Sequence, residues 1–223
     1  MKRVTLFAGH YGSGKTNLAL NYAIAGGTST LVDLDIVNPY FRTKDSAAAL
    51  KAHGVELVVS EFANSNVDFP ALPAEVYRVL AERGKSLVFD IGGDDRGALA
   101  LGRYAPDILE ENDYEYLAVV NASRPLTRTV EDTVGVLREI EASSSGLKFT
   151  GIVNNTNLGP ETTAATVLDS VEYAEGVANA LGVKVRFTSV MRSLVPELAG
   201  RLADLFPLDL QNLYYQFQKN ANA

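Results

Sequence analysis

Eight consecutive residues near the N-terminus, Gly9-His10-Tyr11-Gly12-Ser13-Gly14-Lys15-Thr16, carry the clearest chemistry in the chain. They match G-x-x-x-x-G-K-[ST] and stand between an apolar run, Val4 to Ala8, and a helical pattern that begins at Lys15. Glycines at these positions let the backbone curl until successive N–H groups face inward, where they can hold phosphate oxygens. The helix N-terminus adds its positive end. In such a loop Lys15 reaches the β- and γ-phosphates of a nucleotide, and the Thr16 hydroxyl oxygen ligates Mg²⁺. Residues Gly9 to Thr16 are therefore expected to bind nucleotide, with Lys15 also acting on the transferred phosphate.

A metal ion at Thr16 needs carboxylates close by, and a parallel sheet offers them at the C-terminal ends of its strands. Leu31-Val32-Asp33-Leu34-Asp35 ends one apolar run with two carboxylates, and Leu87-Val88-Phe89-Asp90 ends another with one. Asp90-Ile91-Gly92-Gly93 also reads D-x-x-G. In a loop of that pattern the Gly93 N–H bonds the γ-phosphate and moves out of reach after hydrolysis. Taken singly, each Asp reads equally as a strand-ending or helix-capping residue; beside the phosphate loop, the metal and phosphate roles take precedence.

The elements that must position these groups follow an alternating pattern. Short apolar runs at Arg3–Ala8, Thr30–Leu34, Val55–Ser60, Ser86–Asp90, Glu115–Asn121, Lys148–Asn154 and Lys184–Thr188 read as strands. Several lack polar alternation, as strands covered on both faces do. Between them, Lys15–Ala25, Ser46–His53, Pro73–Arg83, Gly97–Leu109, Thr127–Ala142 and Glu161–Leu181 read as helices. The pattern predicts an α/β fold: a mostly parallel twisted sheet of about seven strands flanked by helices. A length of 223 residues suits a single nucleotide-binding domain over residues 1–223. Residues 196–223 are expected to form a C-terminal helical extension, whose last helix presents Leu210, Leu213, Tyr214 and Phe217 on one face.

Composition excludes other chemistries. The chain has no cysteine, which removes disulfides, thiol catalysis, thiolate zinc sites and cysteine-held iron–sulfur clusters. With His10 and His53 its only histidines, the expected metal is a hard ion held by oxygen. A net charge of −7, from 20 Lys+Arg against 27 Asp+Glu, argues against nucleic acid as a partner. No apolar run approaches the ~18 residues that cross a bilayer. The last helix of the tail has Lys219 as its one basic residue, so no stable membrane association is expected and the expected location is cytoplasmic.

The phosphate loop, the Asp33/Asp35 strand, the Asp90 strand and the late Asn-bearing strand together resemble the MinD/ParA group of P-loop ATPases. That branch also includes nitrogenase iron protein, metallochaperone ATPases and dethiobiotin synthetase. The resemblance implies Asp33 as the magnesium supporter, alongside Asp90 at the neighbouring strand end, and Asp35 as the residue that orients the attacking water. It places Asn17 near the α-phosphate. It implies ATP and Mg²⁺ as cofactors, and a homodimer formed with ATP. Gly151-Ile152-Val153-Asn154-Asn155-Thr156-Asn157 stands where related GTPases carry N-K-x-D. Its last position is Asn157, so the carboxylate that accepts twice from guanine is missing. This favours ATP, with Asn154 as the adenine contact, and the resemblance implies that Met191, in the loop Ser189–Arg192, flanks the base. The group's second lysine, early in the loop, is here His10, which supplies a positive charge when protonated and none as a neutral imidazole; His10 and Tyr11 read equally as packing residues over the loop or a dimer face.

These features predict a Mg-dependent ATPase that switches conformation with its nucleotide and acts on an unidentified partner protein. The alternative is an ATP-dependent small-molecule kinase or ligase of the dethiobiotin synthetase type. Asn38-Pro39-Tyr40-Phe41-Arg42 and Asp94-Asp95-Arg96 read either as switch loops, as substrate-pocket linings or as buried loop residues.

Overall fold

The computed structural model describes residues 2–35, 44–59, 74–93 and 95–210. The N-terminal half runs β1 (Val4–Ala8), α1 (Lys15–Ala25), β2 (Thr30–Leu34), α2 (Lys44–Ala52), β3 (Glu56–Val59), α3 (Ala74–Ala81) and β4 (Leu87–Ile91). It continues with α4 (Asp95–Gly102), α5 (Ala105–Glu111), β5 (Tyr114–Val120), α6 (Val130–Ser143) and β6 (Gly151–Asn154). The last elements are α7 (Ala164–Leu168), α8 (Val171–Leu181), β7 (Val185–Met191), α9 (Val195–Leu198) and β8 (Leu205–Leu208). The expected loops at Asn38–Arg42 and Asp94, and the tail face at Leu213, Tyr214 and Phe217, lie outside the described residues. So do the side chains of Asp95 and Arg96.

The eight strands form one sheet in the order β3-β2-β4-β1-β5-β6-β7-β8, and every neighbouring pair is parallel. β1, β2 and β4 are buried at every residue, because helices cover both faces. Alternation along each strand divides the core. Leu6, Val32, Phe89, Ala118 and Ile152 pack under α3, α4, α5, α6 and α8, whereas Phe7, Leu31, Val88, Val119 and Val153 pack under α1 and α2. This parity decides which polar residues at the strand ends meet α1.

The chain enters the sheet at β1 and moves outward to β2 and β3. It returns to place β4 beside β1, then crosses to β5 on β1's other side. The order reverses at β1, and in open α/β sheets ligands bind in the crevice at the carboxyl ends of strands flanking such a switch point.

Two expected helices are each broken in two. Gly97–Leu109 becomes α4 and α5, with Pro106 in the first turn of α5. Glu161–Leu181 becomes α7 and α8, parted at Ser170, whose hydroxyl donates to the Val167 carbonyl (2.6 Å) and accepts from Asn154 (2.9 Å). After Pro196 the expected helix persists only to Leu198. Leu205–Leu208 is a strand, β8, which pairs with β7 and closes that edge of the sheet. Pro207 sits on this strand, the last of the sheet among the described residues, and edge strands tolerate proline.

Candidate functional site: the phosphate loop at the sheet switch point

The loop leaves β1 at Gly9 and enters α1 at Lys15. A Cβ on Gly9 would fall 2.3 Å from the Val119 carbonyl oxygen, so only glycine lets the chain leave the sheet this close to β5. Gly12 and Gly14 sit at φ +77° and +88°, the left-handed region that side chains disfavour. The loop closes on itself through Ser13 N–H donating to the His10 carbonyl (3.1 Å). α1 starts with no side-chain cap and no acidic residue in its first turn. Its N-terminus is thus an electropositive end, the arrangement that receives an anion.

Lys15 is buried, and its Nζ donates to the His10 carbonyl at 3.2 Å, which folds the amine back under the loop. Thr16 donates its hydroxyl hydrogen to Asp90 Oδ2 at 2.7 Å. Strand parity explains this contact. Asp90 follows Val88 by two residues and Asp33 follows Leu31 by two, so both carboxylates stand on the α1 face, side by side as register partners of β4 and β2. Asp33 is buried and accepts from the Asp35 N–H at 2.9 Å, which fixes the chain where β2 ends. Asp35 is half-buried and packs on Gly92 at the start of the D-x-x-G turn.

Burial pushes the Asp90 carboxyl up to about 7, a rise that Lys15 and the Thr16 hydrogen bond oppose and the Asp35 charge assists. Its Oδ1 is buried with no hydrogen-bond partner among the described residues. Among those residues no group of three or more His, Cys, Asp or Glu converges to hold a metal unaided. One hydroxyl oxygen already turned toward a carboxylate, with a second carboxylate oxygen to spare, suits Mg²⁺. That ion is usually bound by one or two protein groups together with phosphate oxygens and water.

The D-x-x-G turn reaches the phosphate loop directly. A Cβ on Gly93 would fall 2.6 Å from the Tyr11 nitrogen and 3.0 Å from Lys15 Nζ, and one on Gly97 would fall 2.6 Å from Gly92. Gly93→Ala therefore forces backbone apart and is expected to lower the stability of the ligand-free protein by roughly 1–3 kcal/mol, as read by urea denaturation. Unchanged stability would mean that the two loops are not packed this tightly.

On the other side, β6 supplies the anchor. Asn155, on the α1 face, donates from Nδ2 to the Ser13 carbonyl (2.6 Å) and accepts the Ser189 hydroxyl at Oδ1 (2.6 Å). Asn154, the expected adenine contact, turns to the opposite face because it follows Ile152 by two residues. Its amide donates to Ser170 Oγ (2.9 Å) and accepts from the Thr156 N–H (3.2 Å). The residue that grips the loop is thus Asn155, and parity in Ile152-Val153-Asn154-Asn155 was the signal for it. Asn157 is also engaged, donating to the Asn155 carbonyl (2.7 Å) and accepting from Gly159 N–H (3.1 Å).

The remaining expected contacts are distributed around this centre. His10 donates from Nδ1 to the Tyr11 carbonyl (2.8 Å), while the Tyr11 ring is 58% exposed. Asn17 lies in the first turn of α1, its carbonyl accepting from Asn21 (2.8 Å). Met191 ends β7, half-buried, next to Arg192, which pairs with Asp209 at 2.7 Å. Asp209 in turn joins α1 through Asn21, whose Oδ1 accepts the Asp209 N–H at 2.9 Å. The ends of β1, β2, β4, β6 and β7 therefore converge on one crevice.

No family model matches the sequence, and no curated protein does. Solved structures do match. The signal recognition particle 54 kDa protein of Aeropyrum pernix K1, solved with GDP, shares 18% identity at a TM-score of 0.51, over 84% of this chain and 41% of that one. The signal recognition particle receptor FtsY of Elizabethkingia anophelis, also solved with GDP, shares 16% at 0.55, over 85% and 57%. The cell division protein FtsY of Thermotoga maritima shares 16% at 0.53, over 85% and 62%. The fold is that of a P-loop NTPase. At these identities the likeness is one of fold, and the chain spans roughly two-fifths to three-fifths of the length of those proteins. None of the three is a MinD/ParA protein by description. Among the described residues no helix is long and apolar enough to cross a membrane.

Proposed function

We propose that this protein is a Mg-dependent ATPase of MinD/ParA type that switches conformation with its nucleotide and acts on a partner protein. The observation that carries the reading is the Thr16–Asp90 hydrogen bond beside a buried Lys15, at the N-terminus of an uncapped helix. Residues Gly9 to Thr16, with Asn17, would wrap the phosphates, and Lys15 would hold their β–γ end. Thr16, Asp33 and Asp90 would hold Mg²⁺, directly or through water, and the ion would offset the charge of the phosphate oxygens. Asp35, at the open end of β2, would orient the attacking water, and Gly93, which closes the D-x-x-G turn, would sense the γ-phosphate. Met191 would border the base.

Adenine is preferred over guanine because Asn157 stands where a double acceptor would be needed, and its amide is already bonded within the protein. A second reading, GTP, draws support from the GDP bound to two of the fold neighbours. Calorimetric titration with Mg·ATP and with Mg·GTP separates the two. ATP binding at least tenfold tighter is the expected result, and the reverse order replaces ATP by GTP. Light scattering of Asp35→Asn should then show a dimer with Mg·ATP and a monomer with Mg·ADP. A monomer in both, with ATP demonstrably bound, would sink the dimeric switch and bring forward the small-molecule kinase or ligase.

A further inference from the structure

The phosphate loop has a second cationic neighbour besides Lys15. β5 ends at Val120, and Asn121, fully buried, shapes the turn that follows. Its carbonyl accepts from the Arg124 N–H (3.2 Å) and from the Thr127 hydroxyl (3.2 Å), and its Oδ1 accepts from the Ser123 N–H (2.9 Å). The Ala122 N–H donates to Thr156 Oγ1 (3.1 Å), which ties this turn to the one after β6. Pro125 then fixes the backbone on the far side of Arg124. The result is a held turn that carries Arg124 over the loop. Its Nε and Cδ lie 3.6 and 3.7 Å from the position a Cβ of Gly12 would take.

Arg124 Nε is buried and has no hydrogen-bond partner among the described residues. A buried charged donor without an acceptor is costly, and such groups in native proteins are normally satisfied. Gly12 is exposed at the crest of a loop whose other side presents Lys15 and a helix N-terminus. The acceptor that fits this place is an anionic oxygen brought by a ligand. His10, meanwhile, spends its Nδ1 on the Tyr11 carbonyl.

We infer that Arg124 is a phosphate-binding residue, supplying from within the same chain a second fixed positive charge over Gly12. This rests on the reading of Gly9–Thr16 as a phosphate site. It makes the charge a property of one subunit, independent of any dimer.

The test uses the full chain with inorganic tripolyphosphate, ATP and adenosine as probes. Arg124→Ala should bind tripolyphosphate and ATP about ten- to a hundredfold more weakly, with adenosine unchanged. Arg124→Lys should recover part of the loss. The melting temperature of ligand-free Arg124→Ala should stay at or above that of the parent, because the guanidinium Nε satisfies nothing in the ligand-free state. Equal affinity of Arg124→Ala and parent, where the parent binds and Lys15→Ala does not, overturns the role of Arg124 alone. A parent that binds neither tripolyphosphate nor ATP overturns the phosphate site itself. A ligand-free Arg124→Ala that melts well below the parent assigns Arg124 to structure instead.

Discussion

Lys15→Ala should weaken nucleotide binding by about 2–5 kcal/mol, the cost of removing one partner of a buried, hydrogen-bonded charge pair. That corresponds to roughly thirty- to several-thousandfold in Kd, readable by calorimetry or a fluorescent nucleotide. The fold should survive the change. Lys15 holds Asp90 down against the effect of burial, so without the amine Asp90 keeps its proton further up in pH. Lys15→Arg should not restore binding. The amine lies beneath the loop, bonded to the His10 carbonyl, with the Gly93 backbone against it, and a planar guanidinium has no room there. Near-parental affinity in either variant would remove Lys15 from the site.

Asp90 should make the ligand-free protein less stable as pH rises. Its folded pKa of about 7 lies above the ordinary carboxyl value, so the folded state binds its proton more tightly than the unfolded chain does. The sign follows: this group's contribution is fully present below about pH 4 and is lost progressively as pH climbs through 7. Asp90→Asn keeps the shape and cannot ionise. In metal-free buffer the melting temperature of the variant should therefore gain on the parent between about pH 5 and 7 and level off above that. The Thr16 hydroxyl can still donate to the amide oxygen, so the comparison isolates the charge. A gap that stays constant with pH would mean Asp90 is already ionised at pH 5.

Much of this site could be read in the sequence because short-range rules fix it. The phosphate loop is contiguous, and glycine placement plus a strand before and a helix after locate it. The Asp33 and Asp90 pairing follows from two-residue periodicity once the strands are recognised. The same rule would have directed attention to Asn155 in place of Asn154, but it operates only when each face of β6 is known, and that depends on which helices cover it. β8 escaped because Leu205-Phe206-Pro207-Leu208 contains a proline, which reads against a strand unless the strand is known to be an edge. Arg124 carries no local signal. Its proximity to Gly12 arises from β5 pairing with β1 across more than a hundred residues of chain.

That pairing also governs when the site can come into being. β1 emerges from the ribosome before its partners β4 and β5, with Val4 opposite both Leu87 and Tyr114. Until those segments exist, the strand that feeds the loop has no ladder to join. Parallel pairing at such separations imposes a high contact order and slow formation. The Asn155 anchor arrives later still. Synthesis at about 5–20 residues per second therefore leaves the N-terminal segment waiting for several seconds, an apolar strand that a chaperone has time to meet before the crevice closes around it.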